Sequence, residues 1–399
     1  MFRTSEVCQP LLALLFLNSI PLAAQQLQTT AIKTASGIDF TPQLEFELRH
    51  DDNIANAADN EQSSWVSILT PQLSAELLSG PHQYHATVKL VSGSYLSSKD
   101  DNYLDWQATT SALLELSYRH RFDISARYAA GHEARGTGIT EGIGNQLSEP
   151  AELRTFRLQG AYEYGAQSSR AQLRLLTSYF DKQYQNYEAQ TQFRNYDSVK
   201  LATELLYDSG ANTRLIAEVN RVHTGYDLTD ISGDRDSDTM NYRIGGRWQP
   251  SELTSAELRV GYQQRQFDNP QRQDFSGIAW DMTLQWAPLS YSRFNLSTGR
   301  QSKEPDTDGD FVRETHYSLF WTHQWRPLFH SRAGIKRIDD EYTGFSRKDQ
   351  LTSYQLSGHY SLRPELLLGA GVIVHRNDST QENIKFDKNQ IFINLQLAL

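Results

Sequence analysis

The chain has 399 residues and carries 48 Asp and Glu against 38 Lys and Arg, a formal net charge of −10. That balance argues against nucleic acid as a partner, because phosphate contacts need clustered Lys and Arg. Hydrophobic residues make up 38%, which excludes a bundle of membrane-spanning helices but suits a barrel whose strands meet lipid at every second residue only.

In chain order, Arg3 supplies a short positive region and Leu11–Leu17 an apolar run, followed by the small-residue site Pro21-Leu22-Ala23-Ala24. The run is too short to cross a bilayer, so residues 1–24 read as a cleaved signal peptide. Residues 25–37 read as a short periplasmic segment and 38–399 as one barrel domain. The single cysteine, Cys8, falls in the cleaved segment, which leaves the mature chain no disulfide and no thiolate zinc site.

From residue 38 onward the sequence alternates with period two. The first strand sets Leu44, Phe46 and Leu48 against Glu45, Glu47 and Arg49; the seventh sets Leu173, Leu175 and Tyr179 against Gln172 and Arg174; the eleventh sets Leu258, Val260 and Tyr262 against Glu257 and Arg259. One face is apolar and the other charged, as in a half-buried strand. Charges this dense need water, so the second face lines a surface or a wet lumen.

The connections alternate between two classes. Short turns are expected at residues 79–81, 119–120, 165–167, 208–210, 250–252, 288–290, 326–327 and 363–364. Longer polar loops are expected near 50–64, 95–102, 131–152, 181–192, 224–238, 267–275, 300–312, 339–349 and 376–388. Nine loops make nine hairpins, hence about eighteen strands of roughly ten residues in an all-β, antiparallel, up-and-down transmembrane barrel. The recurrence near 40 residues also fits a propeller blade, but a blade needs four short strands in that span. Tyr118, Tyr164, Tyr207, Trp248, Trp286, Trp325 and Tyr360 precede successive short turns and are expected to form a periplasmic aromatic girdle. The chain closes on Ile391, Ile393, Leu395, Leu397 and Leu399, an alternating strand similar to the C-terminal assembly signal of outer-membrane proteins, except that Leu replaces the usual terminal aromatic.

No catalytic constellation stands out, and no cofactor is expected. Gly131-His132-Glu133-Ala134-Arg135-Gly136 could hold a rim enzyme's base, but nucleophile and base cannot be paired by spacing, so a loop or packing motif is favoured. The runs 306–310 and 234–238 look like calcium loops but lack the glycine and distal glutamate at the right offsets, which favours solvated acidic loops. Strand parity places Lys89, Arg127, Arg157, Arg174, Arg243, Arg247, Arg259, Arg332 and Lys336 in the lumen with Glu45, Glu76, Glu115, Asp123, Glu163, Glu204, Glu218, Glu257 and Asp281. Both signs suit a hydrated channel for polar solutes, and equally a bracing ladder of ion pairs between strands. Phe180, Phe320 and Phe392 also fall on the inner face, where they could stack on sugar rings.

Three segments carry a family likeness: Arg49-His50-Asp51-Asp52-Asn53-Ile54, Ile68-Leu69-Thr70-Pro71-Gln72-Leu73, and the loop 131–136. They resemble the outer-membrane β-barrel porin family associated with exopolysaccharide biosynthesis and export operons. The likeness covers nearly the whole mature chain, with Asp51, Asp52, Asn53 and Ile54 as its most family-like positions. It implies a barrel integral to the outer membrane of a Gram-negative cell, serving secretion or assembly of a surface polysaccharide. Expected partners are outer-membrane lipid and lipopolysaccharide, the outer-membrane assembly machinery, a polysaccharide and other export components. The alternatives are a general solute diffusion porin, a non-conducting structural or adhesive surface barrel, and, remotely, a rim enzyme on lipid or lipopolysaccharide.

Overall fold

The computed structural model describes residues 31–398, so the expected signal peptide, Cys8, residues 25–30 and Leu399 lie outside the described residues. The period-two pattern becomes one continuous antiparallel sheet. A two-residue strand β1 (Ile32–Lys33) precedes eighteen long staves: β2 (Ile38–Asp51), β3 (Ser64–Ser79), β4 (His82–Tyr95), β5 (Tyr103–Ser117), β6 (His120–Glu133), β7 (Ala151–Tyr164), β8 (Ala171–Tyr184), β9 (Tyr196–Gly210), β10 (Thr213–Tyr226), β11 (Ser237–Ser251), β12 (Thr254–Phe267), β13 (Phe275–Leu289), β14 (Ser292–Lys303), β15 (Phe311–Arg326), β16 (Phe329–Thr343), β17 (Lys348–Arg363), β18 (Leu366–Ser379) and β19 (Phe386–Ala398). Each stave pairs with its sequence neighbours, and β19 pairs with β2 from Gln390↔Asp51 to Ala398↔Gln43, which closes the barrel. Below Ala398 the edge of β2 would be bare; Ile32 and Lys33 cover it by pairing with Phe40 and Asp39. Closure and this short cover remove the free edges that invite aggregation.

The faces sort by chemistry. Outward residues are apolar and accessible, as at Leu201 (58%), Leu205 (50%), Ile244 (71%) and Ile393 (56%). An apolar belt open to its surroundings is stable only against lipid. The staves run 12–16 residues, longer than the ten expected. The surplus rises on the side of the long loops, where the outer face turns ionic: Arg221 pairs with Asp238, Arg337 with Asp339, and Arg313 with Glu341.

All nine long connections lie at one end and the short ones at the other, as expected. Three short turns sit further along the chain than the expected 208–210, 250–252 and 288–290: the staves continue to Gly210, Ser251 and Leu289. Gly and Pro there mark bulges beside the turns. Gly210 takes φ +85° next to a register shift at Thr213/Arg214, and Pro250, which has no N–H for the ladder, falls inside the shift between Trp248 and Ser251. The first turn is then made by Ala211 and Asn212, both left-handed at φ +49° and +56°, the mirror-image geometry that matches strand twist.

Candidate functional site

Residues paired in register share a face, so the inner wall can be followed from stave to stave. Glu204 pairs with Glu218, Glu218 with Arg243, and Arg259 with Asp281. Like carboxylates placed side by side repel, and cations gather on them: Arg259 Nη1 donates to Glu204 and Glu218 at 2.7 Å each, and its Nε to Glu257 at 3.0 Å. Arg174 reaches Glu204 at 3.5 Å, and Lys200 reaches Glu218 at 3.9 Å. Arg247 bonds Glu257 at 2.8 Å, Arg127 bonds Gln107 at 2.6 Å, and Arg121 pairs with Glu163.

The register also sets Lys89 opposite Gln72 and Gln107, Lys336 opposite Ser318 and Ser353, and Glu76 opposite His85, all on the inner face. Asn394 and Gln396 donate to Glu45 at 2.9 and 3.2 Å. The inner aromatics sit against guanidinium groups, Phe180 under Arg157 at 4.4 Å and Phe320 under Arg332 at 4.3 Å, while Phe392 is buried. The seven girdle aromatics lie on the outer face near the short turns, between 44% and 68% exposed.

The motif at Asp51–Ile54 sits where the first long stave meets the last. Asp51 accepts from Gln390 Nε2 at 2.7 Å and pairs with Lys388 at 3.0 Å. Asp52 accepts from the backbone and side-chain nitrogens of Asn389 at 2.6 and 2.7 Å. Asn53, fully buried, donates to Ala57 O at 2.8 Å and Asp387 O at 3.0 Å, and accepts from Ala57 N at 2.8 Å. The motif is thus a clasp on the closing seam. It also turns Ile54–Ala57 inward, where all four are buried.

From that clasp the loops lock over the mouth. Gly136 and Gly144 of the loop 134–150 lie against the Ala55 carbonyl, so close that a Cβ on either would stand 1.9 or 2.3 Å from it. Arg135, buried, donates to both Asp101 oxygens (2.7 and 2.5 Å), Gln62 Oε1 (3.0 Å) and Leu147 O (3.0 Å), joining three loops. Glu141 meets Arg347 at 2.6 Å. Their loops follow β6 and β16, and β7 to β16 is ten staves of eighteen, leaving eight the other way round, so the loops stand almost opposite each other. The contact therefore spans the opening. Loop 304–310 lies between them: Thr307 accepts from Arg194 at its carbonyl (2.6 Å) and from Arg347 at its hydroxyl (3.1 Å), while Asp306 reaches Lys182 at 3.5 Å.

The acidic runs expected to be solvated are so only in part: Asp308 is exposed, but others are held by arginines. Asp310 takes Arg272 at 2.6 Å, and Gly309 O takes Arg235 at 3.0 Å. Among the described residues no group of three or more His, Cys, Asp and Glu is placed to hold a metal ion. His132 bonds Asp105 at 2.9 Å and packs on Tyr103 with ring centroids 4.0 Å apart, a packing role for the motif 131–136. Sequence reasoning missed the arginines of this lock (Arg135, Arg194, Arg235, Arg272, Arg347). The available signal was one or two Arg in or beside most acidic loops, but their partners lie in other loops.

A closed antiparallel barrel, apolar outside and ionic inside, with loops gathered over one mouth, is a transmembrane barrel of the porin type. The chain belongs to the family described as Putative beta-barrel porin 2, whose model matches residues 39–399. No curated protein sequence matches it. Among solved structures, the FrpB iron transporter from Neisseria meningitidis is similar at 7% identity and TM-score 0.51, over 90% of this chain and 82% of that one. OccK2 (OpdF) of Pseudomonas aeruginosa is similar at 10% and 0.48, over 91% and 98%. A BenF-like porin from Pseudomonas fluorescens is similar at 12% and 0.49, over 91% and 99%. At these identities the likeness concerns the fold alone.

Proposed function

We propose that this protein is a channel, not an enzyme, integral to the outer membrane of a Gram-negative cell, and that it takes part in exopolysaccharide export or secretion. The observation that carries the channel reading is the inner wall. Cations and carboxylates both line a barrel too wide for side chains to fill, and such a lumen holds water and passes polar solutes. The polysaccharide role rests on the likeness of Arg49–Ile54, Ile68–Leu73 and Gly131–Gly136 to porins of exopolysaccharide operons. The apolar belt meets lipid, and the ionic zone above it lies at the level of lipopolysaccharide.

Loops meeting across the mouth favour one second reading, a non-conducting surface barrel. Planar-bilayer recording separates the two. Wild-type protein should give small, flickering steps, and the double variant Asp306→Ala, Arg347→Ala larger and steadier ones. Silence from both, with correctly folded protein, overturns the channel.

A further inference from the structure

The inner wall is uneven in charge. Carboxylates are spread through β2–β13, where Arg121, Arg174, Arg247 and Arg259 are bound to them. On β14–β19 the only inward carboxylates among the described residues are Glu314, Asp340 and Asp349, which stand side by side in one row just below the loops. Lys303 holds Glu314 at 2.9 Å and Asp340 at 2.8 Å, and Arg347 holds Asp349 at 2.7 Å. From that row down to the short turns, strand parity leaves the inner face of these staves without a carboxylate.

Three cations stand in this carboxylate-free sector. Arg293 and Arg332 lie in one row with Thr322 between them, and Lys336 lies further up β16 between Ser318 and Ser353. All three are half-buried, and among the described residues none of the three is paired with a carboxylate. A ring orients Arg332 instead. Phe320 lies across Gly334, where an added Cβ would run into it, and the guanidinium sits 4.3 Å from the ring centroid. A π face attracts the cation without using its N–H groups, which stay available to an oxyanion. At about 3.3 Å per residue, the backbones of Arg332 and Lys336 are about 13 Å apart. Cations strung in this way meet successive acidic groups of an extended chain. Around them the wall offers Ser318, Thr322, Ser353, Gln355 and Ser357, whose groups both donate and accept, as sugar hydroxyls do.

We propose that this sector of the lumen is a track for an acidic saccharide chain, with Arg293, Arg332 and Lys336 meeting its carboxylates and the hydroxyl and amide side chains its OH groups. The track rests on the channel reading and adds the charge of the cargo, which is the opposite of what the net charge of −10 would favour. The test records folded protein in planar bilayers with trigalacturonate, or neutral maltotriose, added to both sides. Trigalacturonate should block the current at a concentration at least tenfold below that of maltotriose, and the preference should shrink as salt is raised, because screening weakens it. The double variant Arg332→Gln, Lys336→Gln should weaken trigalacturonate block at least tenfold and leave maltotriose block unchanged. Ser353→Glu, which sets a carboxylate beside Lys336, is the second variant should the first fail to fold. Equal block by the two sugars, or folded variants that discriminate like wild type, would overturn the track. If folded wild-type protein carries no current, the channel reading fails and calorimetry in detergent decides the track by itself. Binding of trigalacturonate that the variant loses then upholds it, and no binding, or binding that the variant keeps, overturns it.

Discussion

Replacing Asn53 with Asp is the most informative single change, because it keeps the shape of the clasp and alters only its hydrogens. Asn53 is fully buried and turns both ends of its amide to backbone groups: Nδ2 donates to Ala57 O and Asp387 O, and Oδ1 accepts from Ala57 N. A carboxylate keeps the accepted bond and loses both donated ones. It also sets a negative oxygen against two carbonyls now 2.8 and 3.0 Å from nitrogen. Two lost bonds at about 1 kcal/mol each, plus the cost of stranding two buried acceptors, come to about 3–5 kcal/mol. The introduced carboxyl escapes part of this by taking a proton, which restores one donor, so its pKa rises in the folded barrel. A raised folded pKa means the bond is retained at low pH and lost as pH climbs through that pKa. Asn53→Asp should therefore unfold at clearly lower urea than wild type at pH 7.5, and recover part of the difference at pH 5. The assay is tryptophan fluorescence of the barrel in lipid vesicles, with gel mobility of unheated samples as the check on closure. A midpoint unchanged at pH 7.5 would show that the seam does not depend on this clasp, and a loss insensitive to pH would refute the hydrogen-counting argument.

Arg259→Met removes the cation shared by Glu204 and Glu218, which are 3% and 4% exposed; the loss should be on the order of 3 kcal/mol and largely regained by adding Glu204→Gln and Glu218→Gln. An unchanged urea midpoint would mean that water solvates this part of the wall. Gly144→Ala needs no left-handed backbone, yet sets a methyl group 2.3 Å from Ala55 O; single-channel conductance should rise while barrel stability changes little. Burial pushes the Glu141 carboxyl up to about 7, with Asp306 and Asp349 adding to the rise and Arg347 opposing it. Loop closure is then strongest below the ordinary value of 4.5 and weakens as pH climbs through about 7, so open probability should be greater at pH 8 than at pH 5, and Glu141→Gln should flatten that dependence. Ala211→Gly should stabilise the barrel by about 0.5–1 kcal/mol, because alanine at φ +49° is sterically penalised and glycine is not; no shift in the urea midpoint would count against the turn geometry.

The barrel was legible because its cause is local. Leu173 and Arg174 on opposite faces follow from period two, and a wrong register would put every charge into lipid. Turn centres were less legible. Gly210 and Pro250 punctuate the chain, but a bulge uses the same residues as a turn, and only the pairing separates the two. The lock was not legible at all. Glu141 and Arg347 are 206 residues apart, and nothing in either neighbourhood names the other. The motif Asp51–Ile54 stood out as a resemblance, yet its physical role appeared only when β19 lay beside β2, since three of its four residues act on or next to that seam.

The chemistry of the lock bears on how a closed mouth and a conducting lumen can belong to one protein. Its cross-opening contacts are polar: Glu141 to Arg347, Asp306 to Lys182, and Thr307 to Arg194. An apolar plug would lose its whole contact area on opening and would resist any signal short of unfolding. Polar contacts have substitutes, because water, ions or solute hydroxyls can replace each partner in turn. Opening then costs the difference between protein and solvent partners, not a whole apolar contact area. The same exchange is available to any polar solute that reaches loop 304–310 from the lumen, where Asp306 is held to Lys182 at 3.5 Å. In such a channel the cargo itself supplies the hydrogen bonds that release the loop, and the mouth stays shut when no cargo is present.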